Sequence, residues 1–277
     1  MKISRRVGPL GVHAVLLSYT VIALFPIFLV VMNSFKSKRG IFRDPLAFPD
    51  AKTFDLIGFE KVISRSSFDV YFTNSISVTV LSLVFVLLLG AMAAWALAEY
   101  DFPGSDFMAL YLAIGIMIPI RLGTVSLLKM IVALGLVNTL TALVLVYTAQ
   151  GLPLAIFILR EFMAQIPNDL KEAARCDGVS EYRIFWSIIL PLIRPALATV
   201  AVFTMIPIWN DLWFPLILAP GEDTATVTLG IQQFIGQYVT DWNAVLASLT
   251  LAIVPILILY VIFSRQLIRG LTSGAVK

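Results

Sequence analysis

Few side chains in this sequence could do chemistry, and they fall into two groups. The first is a polar island, Lys171-Glu172-Ala173-Ala174-Arg175-Cys176-Asp177-Gly178, running on to Ile188-Ile189-Leu190-Pro191. Its residue types suit recognition of another protein surface rather than bond making. Asp169, with Glu172 three residues later, forms a capping box; this starts a short helix at Asp169 and sets Leu170, Ala173, Ala174 and Asp177 on one face. The two alanines let a partner approach the helix backbone, and Gly178 permits the turn that ends the helix. Ser180 then caps a second helix, in which Ile184, Phe185, Ile188, Ile189 and Leu192 recur at helical spacing until Pro191 and Pro195 break or kink it.

The second group is embedded in apolar sequence: Arg121, Gln150, and the run Trp209-Asn210-Asp211 with Trp213. A lone arginine at a bilayer centre costs roughly 2.5 to 3.5 kcal/mol on insertion scales. Arg121 lies 14 residues beyond Phe107 and Asn210 lies 14 beyond Ala196, so on straight helices both stand about 21 Å from the inner surface. At that shared depth Arg121 pairs with Asp211, snorkels to the outer interface, or faces a water-filled path. Gln150, followed by Gly151 and Pro153, either packs against other helices or faces the same path.

What is missing narrows the chemistry. With one histidine, His13, and one cysteine, Cys176, the sequence has no His/Cys metal cluster and no disulfide within the chain. It contains no Gly-x-x-x-x-Gly-Lys-Ser/Thr phosphate loop, so this chain is not expected to hydrolyse ATP itself. Cys176 is expected to fill the face of the first short helix.

The elements that must position these groups are membrane spans. The chain has 277 residues, 59% hydrophobic and 13% charged, and its mean hydropathy is +0.93, too apolar for a soluble domain. Crossing roughly 30 Å of hydrocarbon takes about 20 helical residues, and six segments qualify: about 11–33, 71–98, 107–128, 138–159, 191–218 and 243–264. The first is expected to be retained rather than cleaved as a signal peptide, because its apolar run outlasts a secretory core and ends without a small-residue cleavage site. Pro207 and Pro215 predict kinks in the fifth. The whole of 1–277 reads as one all-α integral membrane domain, with the polar helix pair (about 169–190) between the fourth and fifth spans.

Positive charges orient it only weakly. Lys2, Arg5 and Arg6 at the start, Arg265, Arg269 and Lys277 at the end, and the island's arginines put both termini and the island in the cytoplasm. The loop after the first span opposes this: it carries Lys36, Lys38, Arg39, Arg43, Lys52, Lys61 and Arg65 and falls outside. The count is eleven basic residues in and nine out. Span parity and the island decide for the six-span order.

At the island the chain resembles the permeases of ABC importers. Their EAA loop reads Glu-Ala-Ala, a Gly after three residues, an Ile after nine more, then one residue, Leu and Pro. Glu172, Ala173, Ala174, Gly178, Ile188, Leu190 and Pro191 match each position. Looser phrases resemble the carbohydrate-uptake, maltose-transporter-type branch, and within it the second permease: Asn33-Ser34-Phe35-Lys36 before Pro45, Tyr71-Phe72-Thr73-Asn74-Ser75, and Trp209-Asn210 before Pro215-Leu216.

The resemblance implies that Glu172, Ala173, Ala174, Asp177 and Gly178 form coupling helices that dock in a cleft of an ATPase subunit. It implies that the tail (265–277), through Gly270, Leu271, Thr272, Gly274 and Lys277, reaches the interface between the two ATPases; by composition alone it is a flexible end. ATP and magnesium would be bound by those partner chains and no cofactor by this one. The further partners would be a second, related permease and an extracytoplasmic substrate-binding protein that meets the loop Gly221–Asp241. The substrate would be a saccharide or sugar derivative, with Arg121, Gln150, Trp209, Asn210, Asp211 and Trp213 as path candidates. A permease for a non-sugar solute, an ion-coupled secondary transporter centred on Asp211 and a membrane-embedded enzyme are the rivals.

Overall fold

The computed structural model describes residues 9–65, 67–236 and 239–273. Among these, nearly all regular structure is helical, and β pairing is confined to isolated bridges, Lys36 with Phe54 and Ile235 with Thr240. The chain divides into two compact units, one built from the residues up to Phe68 with Gly230–Val254, the other from Asp69–Leu229 with the chain from Pro255.

In the first unit, helix α1 (Pro9–Ser34) is apolar and exposed along most of its length, as a membrane span of a lone chain would be. The segment after it is a folded cap that contains two short helices. Ser37 Oγ accepts the Gly40 N–H and starts helix α2 (Lys38–Arg43). Asn33 Nδ2 donates to the carbonyls of Leu29 (2.8 Å) and Pro45 (2.9 Å), and Lys36 Nζ donates to that of Asp44 (3.0 Å). Helix α3 (Ile57–Arg65) is tied by Lys61 to Asp241 at 2.5 Å, just before helix α14 (Trp242–Ser273), whose Asn243 donates to the Lys36 carbonyl at 2.7 Å.

In the second unit, helices α4 (Phe68–Glu99) and α7 (Leu140–Met163) approach closely. A Cβ on Gly90 would stand 2.9 Å from the Ala155 methyl, and one on Gly151 would stand 2.7 Å from Val86 Cγ2 and 3.2 Å from Thr204 Cγ2. Val86 and Gly90, like Gly151 and Ala155, are one helical turn apart. Lipid offers apolar side chains as good a solvent as the protein does, so such small-residue faces, by close contact, are what holds spanning helices together. The Gly151→Ile variant is expected to lose about 1–3 kcal/mol of stability through overpacking. Its thermal aggregation in detergent should start at a lower temperature, while Gly123→Ala, where a Cβ meets nothing within 4 Å, should match the parent.

Among the described residues, three helices are long and apolar enough to cross a membrane: α1 from Gly11, α4 and α7. Two bent pairs bring the number to five if each is one span, and a shorter apolar helical stretch runs over Trp242–Ile258. The first bend corrects the straight third span assumed from the sequence, whereas the second falls where Pro191 and Pro195 are expected to break or kink the helix. The third expected span is helix α5 (Ser105–Met117), a 3-10 turn (Ile120–Gly123) and helix α6 (Thr124–Ala133), and its halves meet at 88°. Pro119 removes a backbone donor and holds Ile118 extended, at φ −83° and ψ 118°, so the helix stops there. The depth estimate for Arg121, which assumed an unbroken helix from Phe107, therefore fails.

The second bend lies at the start of the fifth expected span. Helix α8 (Asn168–Cys176) and helix α9 (Glu181–Ile184) are followed by a π turn (Phe185–Ile189) and helix α10 (Leu190–Leu192), and the chain bends by 74° into helix α11 (Arg194–Asn210). A wide turn just before Pro191 relieves the clash that a proline ring makes with the preceding turn. Pro207 leaves α11 continuous, whereas at Asp211 the helix ends and a short helix, α12 (Trp213–Leu218), begins. Pro215 has no N–H for the Asp211 carbonyl, which accepts instead from the Thr228 hydroxyl at 2.6 Å, beside helix α13 (Val227–Gln232). Pro153 leaves α7 unbroken. At the end of the chain α14 runs through Ser273, past the expected span limit of 264, so Gly270, Leu271 and Thr272 lie on a helix; Gly274 and Lys277 lie outside the described residues.

Candidate functional site

The polar island folds as two short helices with a reversal between them. The expected capping box does not form. Pro167 stands at the N-cap with extended backbone (φ −56°, ψ 133°) and offers no side-chain acceptor, so α8 starts at Asn168 and Asp169 lies in its first turn. Its far end is as expected and more complete. Gly178 adopts φ +74°, its N–H bonds to the Arg175 carbonyl and the Val179 N–H to that of Ala174, both at 3.0 Å. These are the paired bonds of a Schellman reversal. Ser180 occupies the N-cap of α9 without its side chain capping.

The two faces of α8 differ from the expected assignment in one residue. Leu170, Glu172, Ala173, Cys176 and Asp177 are exposed, but Ala174 is buried in a core with Trp95, Leu159 and Ile184. Beneath it, the lysine that precedes the Glu-Ala-Ala run is anchored. Lys171 Nζ and Arg175 NH2 each lie 2.5 Å from the carboxylate of Glu99, the last residue of α4, and Lys171 also stands 5.8 Å from the centre of the Trp95 ring. The Lys171 and Glu99 side chains are only 8% and 7% exposed. Arg175 Nε reaches Glu181 on α9 at 2.6 Å, and the Tyr100 hydroxyl donates to Glu181 at 2.9 Å. An acid at a helix C-terminus opposes the helix dipole, and here two cations offset that cost. Sequence reading missed Glu99, because its partners are more than seventy residues away; its one legible trace was an acidic residue ending an apolar run with no basic residue nearby.

Removing one partner from such a buried pair leaves a charge without compensation, which costs roughly 3–5 kcal/mol. Glu99→Gln is therefore expected to loosen α8 and α9 selectively, read as faster hydrogen exchange at 168–184 with α4 itself protected. The outer link responds to pH. Hydrogen bonds from Arg175 hold the Glu181 carboxyl below the usual carboxylate range against a burial penalty, with Tyr100 adding to the effect. A depressed carboxyl contributes stability at and above its ordinary range and loses it as pH falls through the depressed value. Exchange at 168–184 should thus be unaffected by mild acid and rise only below the ordinary carboxylate range.

Of the embedded polar residues, Arg121 meets Asp211, which gathers further donors around it. Its carboxylate accepts from Arg121 NH2 (3.2 Å), the Tyr147 hydroxyl (2.9 Å) and the backbone N–H groups of Trp213 (3.3 Å) and Phe214 (3.1 Å). Of the sequence alternatives for Arg121, the structure forms the pair. Asp211 is 8% exposed and Arg121 66%. Arg121 lines a cleft of about 680 Å³ together with Tyr111, Gly115, Pro119, Gln150 and Pro153. Gln150 is exposed there and Asn210 is exposed on α11, its Nδ2 donating to the Ile206 carbonyl. Trp213 is exposed, and its Nε1 donates to Thr124 Oγ1 at 3.0 Å. Trp209 does not reach this cleft in the lone chain: its ring is buried and meets Phe72 edge-on at 5.8 Å.

Known proteins fit this architecture. Residues 86–273, which include α8, Gly178 and Asp211, match the family model described as binding-protein-dependent transport system inner membrane component. The diacetylchitobiose uptake system permease protein NgcG of Streptomyces coelicolor is 33% identical over 267 residues, 96% of this chain and 88% of its own. The arabinooligosaccharides transport system permease protein AraQ of Halalkalibacterium halodurans is 34% identical, over 92% of each chain. In fold, the chain is similar to a chain of a bacterial ABC transporter involved in import of the acidic polysaccharide alginate, with a TM-score of 0.78 at 23% identity over 92% of this chain and 94% of that one. By the extent of the family match and the identity to these permeases, the chain belongs to the binding-protein-dependent transport system inner membrane components.

Proposed function

We propose that this protein is one of two related permeases in an ATP-driven ABC importer and that it carries an oligosaccharide inward. The observation that carries this reading is the docking element: a short helix with an exposed Leu170-Glu172-Ala173-Asp177 face, ended at Gly178 and pinned from below by Glu99. Six spans, with both termini and this element in the cytoplasm of a bacterial cell, accommodate that role. The sixth span would be the apolar part of α14, the bent pair of α5 and α6 would count as one, and α11 with α12 would form the fifth. Two ATPase subunits would supply ATP and magnesium binding and grip the exposed face. Their closure would move α8 and α9, and the Glu99 contacts would pass that movement to α4. The tail from Gly270 to Lys277 would reach the ATPase interface, and an external binding protein would deliver substrate near Gly221–Asp241.

The substrate is proposed as a neutral oligosaccharide. The named relatives that share a third of this sequence include permeases for diacetylchitobiose and for arabinooligosaccharides. Asp211 offsets the charge of Arg121, so the cleft presents hydrogen-bond donors without an unpaired cation. Proteoliposomes holding the complete complex and its binding protein test this. ATP-dependent uptake of a neutral labelled oligosaccharide, with an acidic one excluded, is the expected result. Uptake driven by an ion gradient in the absence of the ATPases would overturn the proposal.

A further inference from the structure

The first unit contains an apolar groove to which the proposed function assigns no role. At the last turns of α1, Leu29 and Val30 face Ile41 and Phe42 of α2 and Trp242 and Leu246 of α14 across an apolar groove of about 340 Å³. The groove is rigidly built. Asn33 clamps the Pro45 carbonyl at one end, Asn243 holds the Lys36 carbonyl, and the Phe42 and Trp242 rings meet edge-on at 6.1 Å. α1 is a candidate membrane span that ends at Ser34, so the groove lies where hydrocarbon gives way to water.

Helix α2 has two chemistries. Ile41 and Phe42 line the groove, Lys38, Arg39 and Arg43 are exposed on the same short helix outside the lining, and Leu46 and Phe48 are exposed just beyond. Cations alternating with exposed apolar side chains at the end of a span are what an interfacial segment needs: the apolar groups enter the acyl region and the cations meet lipid phosphate. These three cations are among the seven basic residues of this loop that argue against the six-span orientation. Basic residues engaged with lipid headgroups on the outer side would account for part of that conflict.

We infer that this groove is a binding site for an anionic phospholipid, with an acyl chain against Val30, Ile41 and Trp242 and the headgroup phosphate against Lys38, Arg39 and Arg43. A zwitterionic lipid would fill the groove equally well but gain less from the three cations, so headgroup charge is the discriminating property. The inference stands apart from the transported substrate and from the ATPase contacts.

The test uses the assembled importer in phosphatidylcholine nanodiscs doped with either phosphatidylglycerol or phosphatidylcholine bearing a photoactivatable acyl chain, followed by peptide mapping. Phosphatidylglycerol is expected to label the peptides around residues 29–46 and 242–246 several-fold more than phosphatidylcholine. The exposed double variant Arg39→Glu with Arg43→Glu should reduce that preference to parity, and Val30→Trp should remove labelling by both lipids. If Val30→Trp fails to assemble, the milder Leu246→Phe should still reduce the labelling. Equal labelling by the two lipids in the parent, or a preference unchanged by the charge reversal, would overturn the proposal. So would label from neither lipid together with cross-links from this groove to the second permease, which would mean that protein covers it.

Discussion

Gly178→Leu is expected to leave a complex that inserts and assembles yet no longer couples ATP hydrolysis to uptake. Gly178 sits at φ +74°, and a Cβ there would meet nothing within 4 Å. Crowding is therefore not the obstacle. The cost is the left-handed backbone itself, roughly 1–2 kcal/mol for a side chain other than glycine. The chain can avoid that cost only by opening the reversal that sets α9 against α8, and with it the bonds to the Arg175 and Ala174 carbonyls. Asparagine tolerates this region better, so Gly178→Asn should keep most of the parent's activity. Glu172→Lys reverses a charge on the exposed face without any backbone cost and should also uncouple. A loss of uptake on the order of tenfold corresponds to about 1.4 kcal/mol of lost coupling energy. The measurements are uptake in proteoliposomes and ATPase stimulation by loaded binding protein. Parental uptake by Glu172→Lys or Gly178→Leu would mean that this surface docks nothing.

Asp211→Ala is expected to be the most destabilising change among the embedded polar residues, and Arg121→Gln one of the mildest. Loss of the Asp211 carboxylate leaves the Tyr147 hydroxyl and the Trp213 and Phe214 N–H groups without their acceptor, at about 1–3 kcal/mol for each buried group left unsatisfied. It also removes a side chain that joins α7, the Arg121 turn and the start of α12 in one set of hydrogen bonds. Arg121 is two-thirds exposed, so its pairing is worth about 1 kcal/mol or less. Thermal unfolding in detergent should therefore fall markedly for Asp211→Ala and hardly at all for Arg121→Gln. If the cleft carries substrate, Arg121→Gln should still slow uptake while retaining ATPase activity. The reciprocal swap, Arg121→Asp with Asp211→Arg, tests a simple ion pair in principle. Here it is expected to fail, because an arginine at 211 offers no acceptor to the two backbone N–H groups. Recovery of stability by the swap would show that the pair alone matters.

The polar helix pair was legible because most of what shapes it is local. Gly178 as the reversal, the small alanine and the flanking prolines act within one or two turns, where residue type dictates backbone conformation. The same locality explains the errors there. Pro167 outranked the Asp169–Glu172 capping pattern by imposing an extended N-cap, and the burial of Ala174 depended on Trp95 and Ile184, which sequence spacing on α8 cannot reveal. Proline positions announced the bends but not their size; a right angle after Met117 reflects how α5 and α6 each pack, not Pro119 alone.

By itself, the sequence determined that this is a helical membrane chain with a polar helix pair between apolar segments and a small set of embedded polar groups, since composition and local spacing govern insertion and helix formation. Only the tertiary structure decided which of those groups meet. It put Glu99 under Lys171 and Arg175, gave Asp211 four donors from three parts of the chain, turned Trp209 inward and left Arg121 and Gln150 at a cleft. The physical reason is that a buried charge or aromatic ring is satisfied by whatever packing brings within a few ångströms, and that proximity arises from the folding of distant helices rather than from neighbours along the chain.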